Sequence, residues 1–145
     1  MSSGVAVAPE CLEKFNDVKR RTYRGVILKI NDTMTSIDVE KTLEPIEGAA
    51  SEKWAATVKE LPESDCRFLI YDFEYEHQGL PKSKLIFMKW APETAKIKAK
   101  MIYASSQEGC LNSMEGIGRQ LQCTDEDEAE YETIVKTLAA TQAGY

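Results

Sequence analysis

The 145-residue sequence has a single histidine, His77, and four cysteines, Cys11, Cys66, Cys110 and Cys123, which stand far apart with no C-x-x-C spacing. A structural zinc site needs about four grouped Cys or His ligands, so this chain offers none. Free cysteine is among the residue types most often buried, and we therefore predict four small, reduced, mostly buried thiols. No metal and no cofactor is expected.

Sequence motifs for catalysis and for membrane insertion are also lacking. There is no Gly-rich phosphate loop, no G-x-S-x-G, no H-E-x-x-H and no EF-hand spacing. His77 lies in a predicted loop, and Asp72 and Glu74, on one face of a predicted strand, are expected to be solvated or salt-bridged. No apolar run approaches the roughly 18 residues of a membrane span, and the start, MSSGVAVAPE, resembles neither a signal nor a transit peptide. We expect a cytosolic protein that is not an enzyme.

What the sequence does have is an uneven distribution of charge. The formal net charge is −6, but residues 82–100 hold six lysines against Glu93 alone, a local +5. Residues 101–145 hold Arg119 and Lys136 against eight acids, a local −6. A concentrated cationic surface on an acidic body predicts an anionic partner: an acidic protein, a phosphoinositide headgroup or a nucleic-acid backbone. Nucleic acid is disfavoured because the lysines are not interleaved with arginine and aromatic residues.

Periodicity predicts the secondary structure up to residue 90. A helix is expected from Pro9 to about residue 21, strands at Gly25–Ile30 and Ser36–Lys41, a helix at Ala49–Leu61, and a long hairpin of strands Cys66–Glu76 and Ser83–Trp90 separated by HQGLPK.

The stretch AKIKAKMIY, after Trp90, is ambiguous. Its pattern is compatible with a strand that has every lysine on one side, or with the first turns of a helix that begins at Pro92 and Glu93. Length favours the helix, because an apolar stripe continues for over twenty residues, with a bend expected near Ser105, Ser106 and Gly109. The stripe comprises Ile97, Met101, Ala104, Leu111, Met114 and Leu121.

A last helix is predicted after Thr124, with the acids of residues 125–128 placed at its N-terminus, where the helix dipole favours negative charge. Its buried stripe would be Tyr131, Ile134, Val135 and Leu138. The whole pattern predicts a single α/β (α+β) domain over residues 1–145, with a central mixed β-sheet flanked by helices on both faces. Nothing suggests more than a monomer.

Three blocks of the sequence resemble the ADF/cofilin family of actin-depolymerising proteins. They are SSGVAVAPECLEKFNDVK (Ser2–Lys19), LPESDCRFLIYDFEYE (Leu61–Glu76) and KSKLIFMKWAPETAKIKAKMIYASS (Lys82–Ser106). They correspond to the family's N-terminal serine and first helix, its central strands, and the strand and long helix that identify it. The blocks span most of the chain, and the resemblance implies a single ADF-homology domain.

The resemblance implies binding to actin monomers, ADP-bound ones by preference, and promotion of filament depolymerisation and turnover. It places the monomer contact on a flexible N-terminal arm, residues 1–8, and on the long helix. The residues carried over are Ser3, Gly4, Lys98, Lys100 and Met101. On a helix Lys98 and Lys100 are about 200° apart around the axis, so they would straddle the contact, with Met101 as an adaptable apolar group between them.

The family's second contact, made on the filament, implies roles for Lys82, Lys84 and Lys136. Here the sequence departs from the family, because residues 107–118 contain no Lys or Arg where basic residues are usual. If two or three cations are missing, filament affinity would fall about ten- to a hundredfold. The hypothesis is that monomer binding is retained while filament binding and severing are weakened.

Regulation follows from the same charges. Phosphorylation of Ser3 would add negative charge to an arm that must approach acidic actin, and would weaken binding. The alternative function is a phosphoinositide- or other anion-binding module that uses Lys96, Lys98 and Lys100. The resemblance implies that the protein is located in the cytoplasm, at the actin cytoskeleton, and in part in the nucleus.

Overall fold

The computed structural model describes residues 4–143, without the side chains of residues 141–143. The elements are β1 (Ala6–Val7), α1 (Pro9–Lys19), β2 (Gly25–Ile30), β3 (Ser36–Leu43), α2 (Ala50–Val58), β4 (Arg67–His77), β5 (Leu80–Trp90), α3 (Ile97–Asn112), β6 (Arg119–Cys123) and α4 (Tyr131–Ala143). Each predicted helix and strand is present, several with different bounds, and β1 and β6 were not predicted.

The strands form one six-stranded sheet in the order β1-β3-β2-β4-β5-β6. Both outer pairs, β1 with β3 and β5 with β6, are parallel, and the inner pairs are antiparallel. The sheet is therefore mixed, as predicted.

The two faces of the sheet carry separate hydrophobic clusters, because the side chains of a strand alternate between faces. On β4, Phe68 and Ile70 point into the cluster that α1 and α3 cover. Leu69, Tyr71 and Phe73 point into the cluster covered by α2 and α4. Helices thus lie on both faces, which confirms the predicted architecture.

The helix predicted to run from Pro92 past residue 114 is shorter than expected. It begins at Ile97, ends at Asn112, and is followed by a turn in which Gly116 has φ +101°. Leu121 is not on this helix but on β6, whose burial alternates as a strand requires. Met114 and Leu121 are seven residues apart, which is also the spacing of two helical turns. The segment RQLQC is too short for its own pattern to predict a strand.

The connection between β4 and β5 is also tighter than predicted. The turn has two residues, Gln78 (φ +54°) and Gly79 (φ +77°), and Leu80 already begins β5. Two successive residues with positive φ are typical of the type I′ turns that join twisted antiparallel strands. The far part of this hairpin lies beyond its neighbours, since β2 pairs with β4 only as far as Tyr71 and β6 pairs with β5 only from Ile86.

The acids of residues 125–128 do not begin the last helix, which starts at Tyr131. They form a turn of their own, in which the Glu128 carboxylate accepts hydrogen bonds from the backbone N–H and hydroxyl of Thr124, both at 2.6 Å. The local hydrogen bonds of this turn compete with helix formation. The buried positions of α4, Ile134 and Leu138, are as predicted.

Candidate functional site

The outward face of α3 presents two large apolar side chains to solvent. Ile97 is 74% exposed and Met101 is 66% exposed, the highest values among the large hydrophobic residues of the described chain. They are four residues apart and so lie one above the other on the helix. The predicted apolar stripe is therefore wrong as a core face, because the buried face is formed by Tyr103, Ser106 and Cys110.

Sequence reasoning treated Ile97 as part of that stripe and so missed it as a contact residue. The available signal was the second set of positions at helical spacing, Tyr103, Ser106 and Cys110. This set includes an aromatic ring, which can bury far more area than the alanine of the competing stripe. Exposed apolar residues next to each other on a fixed helix are a feature of interaction surfaces.

The three lysines of α3 and its N-cap have different surroundings. Lys96, the N-cap residue, and Lys98 are exposed. Lys100 is half-buried, and its ammonium group donates a hydrogen bond of 2.8 Å to the backbone carbonyl of Glu93. At about 100° per residue, Lys98 and Lys100 lie on opposite sides of the Ile97 and Met101 pair.

The cationic run of residues 82–100 does not form one continuous surface. Lys89 has only 8% of its surface exposed and lies in the buried half of β5. The lysines before it are on the hairpin and the lysines after it are on α3. The six lysines therefore do not form the one concentrated cationic surface that their spacing in the sequence indicates, because Lys89 is buried on strand β5.

Several hydrogen bonds fix α3 on the sheet. The Tyr103 hydroxyl accepts a bond of 2.9 Å from the backbone N–H of Ile30, at the end of β2. Before the helix, the Thr94 hydroxyl lies 3.1 Å from the carbonyl of Glu63 and 3.0 Å from the Ser64 hydroxyl. After it, Lys19 of α1 donates a bond of 3.0 Å to the carbonyl of Glu115. The exposed face of α3 is therefore a preformed surface.

The N-terminal segment lies on the same side of the sheet as α3. Gly4 is exposed, with φ +81°, and Ala6 and Val7 pair with β3. Val5 packs against the hydrophobic cluster that also receives Ala99 and Ile102 of α3. Ser3 lies outside the described residues.

The lysines predicted for the filament contact lie on the other side of the sheet. Lys82 and Lys84 pair with Tyr75 and Phe73 of β4, whose rings belong to the cluster covered by α2 and α4. On that side Tyr131 of α4 stacks on Phe73, with ring centroids 5.1 Å apart. Both lysines are half-buried.

Lys136 is exposed on α4. It lies two residues from Ile134 and from Leu138, both of which are buried against the sheet. A separation of two residues, about 200° around a helix, points its side chain away from the sheet. The structure thus separates the predicted residues into two groups, one on α3 and the N-terminal segment and one on the hairpin and α4.

The described residues contain no group of side chains typical of a metal site. No group of three or more His, Cys, Asp and Glu side chains within residues 4–143 is placed to hold a metal. Asp72 and Glu74 form ion pairs with Arg21, at 3.3 Å, and with Lys53, at 2.9 Å, as predicted. Over the same residues no helix has the length and apolar character needed to cross a membrane.

The four cysteines are free and buried, as predicted. Burial raises the pKa of Cys110 and of Cys123 to about 12, and that of Cys11 to about 11. A nucleophilic cysteine needs the opposite shift, since the thiolate is the reactive form. These side chains therefore serve packing.

The amino-acid sequence is similar to those of known proteins. Residues 4–139 match the sequence model of a family described as cofilin/tropomyosin-type actin-binding protein. The chain is 42% identical over 142 residues to a cofilin of Ogataea parapolymorpha, covering 96% of this chain and 95% of that protein. It is 42% identical over 137 residues to a cofilin of Schizosaccharomyces pombe, covering 94% and 96%.

The fold is similar to solved structures of proteins with the same type of name. The fold superposes on the crystal structure of actin depolymerization factor 2 from Plasmodium berghei with a TM-score of 0.85, at 28% identity, covering 97% of this chain and 99% of that one. For the crystal structure of a cofilin from Streptomyces griseoflavus the TM-score is 0.82, at 32% identity, covering 92% and 96%.

Proposed function

Since the chain belongs to the ADF/cofilin family, we propose that it binds actin monomers and promotes the depolymerisation of actin filaments. The role is non-catalytic, and its place is the actin cytoskeleton of the cytoplasm, with a nuclear fraction. The single domain acts as a monomer whose two groups of candidate residues contact actin from different sides.

The observation that carries this proposal is the apolar pair on the anchored helix α3. Ile97 and Met101 are 74% and 66% exposed, while the opposite face of the helix is tied to the sheet through Tyr103. Fully burying one such side chain contributes about 1.5–3 kcal/mol. Because the helix is already ordered, little of that free energy is lost to ordering it on binding. Ile97 thus joins Met101 at the centre of the monomer contact.

The lysines around this pair orient the partner. Lys98 is exposed beside Met101 and suits an acidic patch on actin, where a cation at the rim raises the encounter rate and fixes the orientation. Lys100 adds charge on the other side while holding the segment before the helix through Glu93. Ser3 and Gly4 of the N-terminal segment complete the contact, with ADP-bound monomers preferred.

The filament contact uses Lys82, Lys84 and Lys136, on the other side of the sheet from α3. The stretch 107–118, at the end of α3 and after it, carries no Lys or Arg, and this absence weakens filament binding and severing relative to monomer binding. The hairpin lysines retain some filament affinity, so the protein is not a pure monomer-sequestering protein.

Phosphorylation of Ser3 is proposed as the negative switch. The modification adds about two negative charges, one residue before the exposed Gly4, where the chain faces the acidic partner. A Ser3→Glu variant should bind monomers more weakly than a Ser3→Ala variant.

A second candidate function is binding of phosphoinositide headgroups. It is favoured by the exposure of Lys96 and Lys98, which lie two residues apart at the start of α3. Lys100 can join them only if its ammonium group leaves or shares the carbonyl of Glu93. Because the same side chains are used, headgroups and actin would compete.

The proposal is tested by measuring both contacts at one ionic strength. The affinity for ADP-actin and ATP-actin monomers is determined by titration, and the affinity for preassembled filaments by co-sedimentation over a range of protein concentrations. We expect tight monomer binding, ADP-actin preferred, with weak pelleting and few severed filaments. Absence of monomer binding would overturn the proposal, whereas strong pelleting with rapid severing would overturn only its statement on the weakened filament contact.

A further inference from the structure

One large apolar side chain on the surface lies far from the monomer contact. Leu80 is 59% exposed, and unlike Ile97 and Met101 it is not on α3 but on β5. It is the first residue of that strand and directly follows the two-residue turn of Gln78 and Gly79. A single exposed leucine is ordinary on a protein surface, so its meaning depends on what lies beside it.

Leu80 shares a face of the hairpin with the two lysines of the filament contact. β4 and β5 pair from the base of the hairpin to the turn without a register shift, so the side chains of β5 alternate between the two faces up to Leu80. Leu80, Lys82 and Lys84 therefore point to the side of the sheet on which Ile86 and Met88 are buried under α2 and α4. At about 3.3 Å per residue, these three side chains form a row about 13 Å long. We call Leu80, Lys82 and Lys84 the hairpin row.

The outer part of the hairpin is held in place although no neighbouring strand pairs with it. On the side opposite the hairpin row, Arg21 contacts both strands. Its Nε atom lies 3.3 Å from Oδ2 of Asp72, and its guanidinium group donates a bond of 3.3 Å to the hydroxyl of Ser83. On the side of the row, Tyr131 stacks on Phe73 with ring centroids 5.1 Å apart. The row is therefore a preformed surface, and little free energy is lost to ordering it on binding.

The charge of the hairpin row is available but modest. Among the residues that the structure describes, neither Lys82 nor Lys84 forms an ion pair. However, Glu76 and Glu132 line the same groove as Lys82 and reduce the net charge there. An exposed ion pair contributes little, so two lysines alone would give a weak contact. Leu80 is the side chain in the row that can add apolar contact area.

Strand addition by a second copy of the chain does not explain the exposed leucine. The edge of β5 is unpaired before Ile86. In a hairpin with a two-residue turn the flanking residues, here His77 and Leu80, form a hydrogen-bonded pair, so the backbone of the next residue, Pro81, faces outward. Proline has no N–H to offer an incoming strand, and prolines on edge strands oppose such pairing.

We propose that the hairpin row is an interaction surface for an actin subunit in the filament, with Leu80 as its apolar contact residue and the two lysines facing acidic side chains of actin. The inference rests on the proposed function and extends its filament contact, which otherwise consists of lysines. Salt screens charge contacts but does not weaken the burial of apolar area. Filament binding therefore has a part that persists at high salt.

The first experiment removes the apolar side chain and keeps every charge. Leu80→Gln should weaken filament binding about five- to twentyfold in co-sedimentation, as expected when a half-exposed leucine is no longer buried by the partner. The factor should be the same at low and at physiological salt. Leu80→Met, which stays apolar, should bind like the wild type. Ile46→Gln, at a residue 39% exposed outside the hairpin, is the matched control and should also bind like the wild type.

The second experiment removes a charge from the row for comparison. Lys82→Gln should weaken filament binding about two- to fivefold at low salt, the range of an exposed ion pair, and less as salt is added. Lys59→Gln, an exposed lysine at the end of α2, should bind like the wild type. Thermal unfolding midpoints and monomer affinities should be the same for the wild type and for the Leu80 and lysine variants.

The outcomes separate the inference from the proposed function. Wild-type filament binding by Leu80→Gln would overturn the inference, and so would a loss that disappears at physiological salt, since the leucine would then act through charge. If Leu80→Gln keeps filament binding but loses binding to vesicles of phosphatidylcholine and phosphatidylserine, the leucine faces lipid and the inference is wrong. If the wild type binds monomers but not filaments, the inference is wrong together with the filament contact. If it binds neither, the proposed function itself is wrong.

Discussion

The hydroxyl of Tyr103 accepts a hydrogen bond from the backbone N–H of Ile30 at 2.9 Å. The two residues are 73 positions apart in the chain, and the bond joins the middle of α3 to the end of β2. Both residues are buried, with Tyr103 3% and Ile30 5% exposed. The face of α3 that remains outside, with Ile97 and Met101, is thereby fixed relative to the sheet.

Replacing Tyr103 with phenylalanine should destabilise the protein by about 1–3 kcal/mol, because the N–H of Ile30 loses its partner in a buried place. Urea unfolding of wild type and variant measures the difference. Tyr131→Phe is the control, since its hydroxyl donates a bond of 2.7 Å to the Glu74 carbonyl in an exposed place and its removal should cost less than about 1 kcal/mol. Equal costs for the two variants would contradict the anchoring role of Tyr103.

Replacing Ile97 and Met101 together with alanine should weaken monomer binding about tenfold or more, as expected for apolar residues at the centre of an interface. Stability should hardly change, because both side chains are already in water. The measurement is titration of ADP-actin monomers, with urea unfolding in parallel. Ile46→Ala, at a residue 39% exposed away from α3, should leave the affinity unchanged. An unchanged affinity of the double variant would show that actin binds elsewhere.

Lys98 and Lys100 should act differently when each is replaced by alanine. Loss of Lys98 removes an exposed charge, so monomer binding should weaken mainly at low salt, where charges are least screened. Loss of Lys100 also frees the carbonyl of Glu93, so amide hydrogen exchange should speed up in residues 93–96. If the Lys98 variant shows the same faster exchange, the distinction between the two lysines is wrong.

Stability should decrease as the pH rises from about 9 to about 12. Burial raises the pKa of the Cys110 thiol from 9.0 to about 12, so between these values the unfolded chain releases a proton that the folded chain keeps. Below pH 9 both states hold the proton and this contribution is complete. Each such thiol adds a slope of up to about 1.4 kcal/mol per pH unit.

The slope is measured by urea unfolding at several pH values. Cys110→Ala removes one titrating thiol, so its free energy of unfolding should decrease less steeply above pH 9 than that of the wild type. The comparison of slopes is insensitive to the packing lost by the substitution, which lowers stability at every pH. Parallel curves for the two proteins would mean that the thiol titrates alike in both states.

Strong local patterns made the mixed sheet, its four longer strands and the helices on both faces predictable. β4 alternates between two apolar sets on its two faces, and α1 shows Cys11, Phe15 and Val18 at helical spacing, all of them buried. The two short parallel strands were not predictable. Ala6–Val7 and Arg119–Cys123 pair with strands distant in sequence, so their partners, rather than their own residues, decide their conformation.

The candidate site was predictable in its residue types and less so in its geometry. The resemblance to the family pointed to Lys98, Lys100 and Met101, but the periodicity assigned Ile97 to the core. Spacing alone cannot tell which of two faces of a helix is inside, and here the aromatic ring of Tyr103 decides it. Nor can a local count of charge detect Lys19, which donates a hydrogen bond to Glu115, in the stretch without Lys or Arg, from 96 positions away.

In the proposed function, the exposed face of α3 is where the chain meets actin. The most direct test is titration of labelled ADP-actin monomers with wild type, with a variant carrying Lys98→Glu and Met101→Asp, and with Lys59→Glu as the matched control. We predict saturable binding for wild type and control, and no measurable binding for the double variant, which should remain folded. Binding of the double variant with the affinity of the wild type would contradict the account.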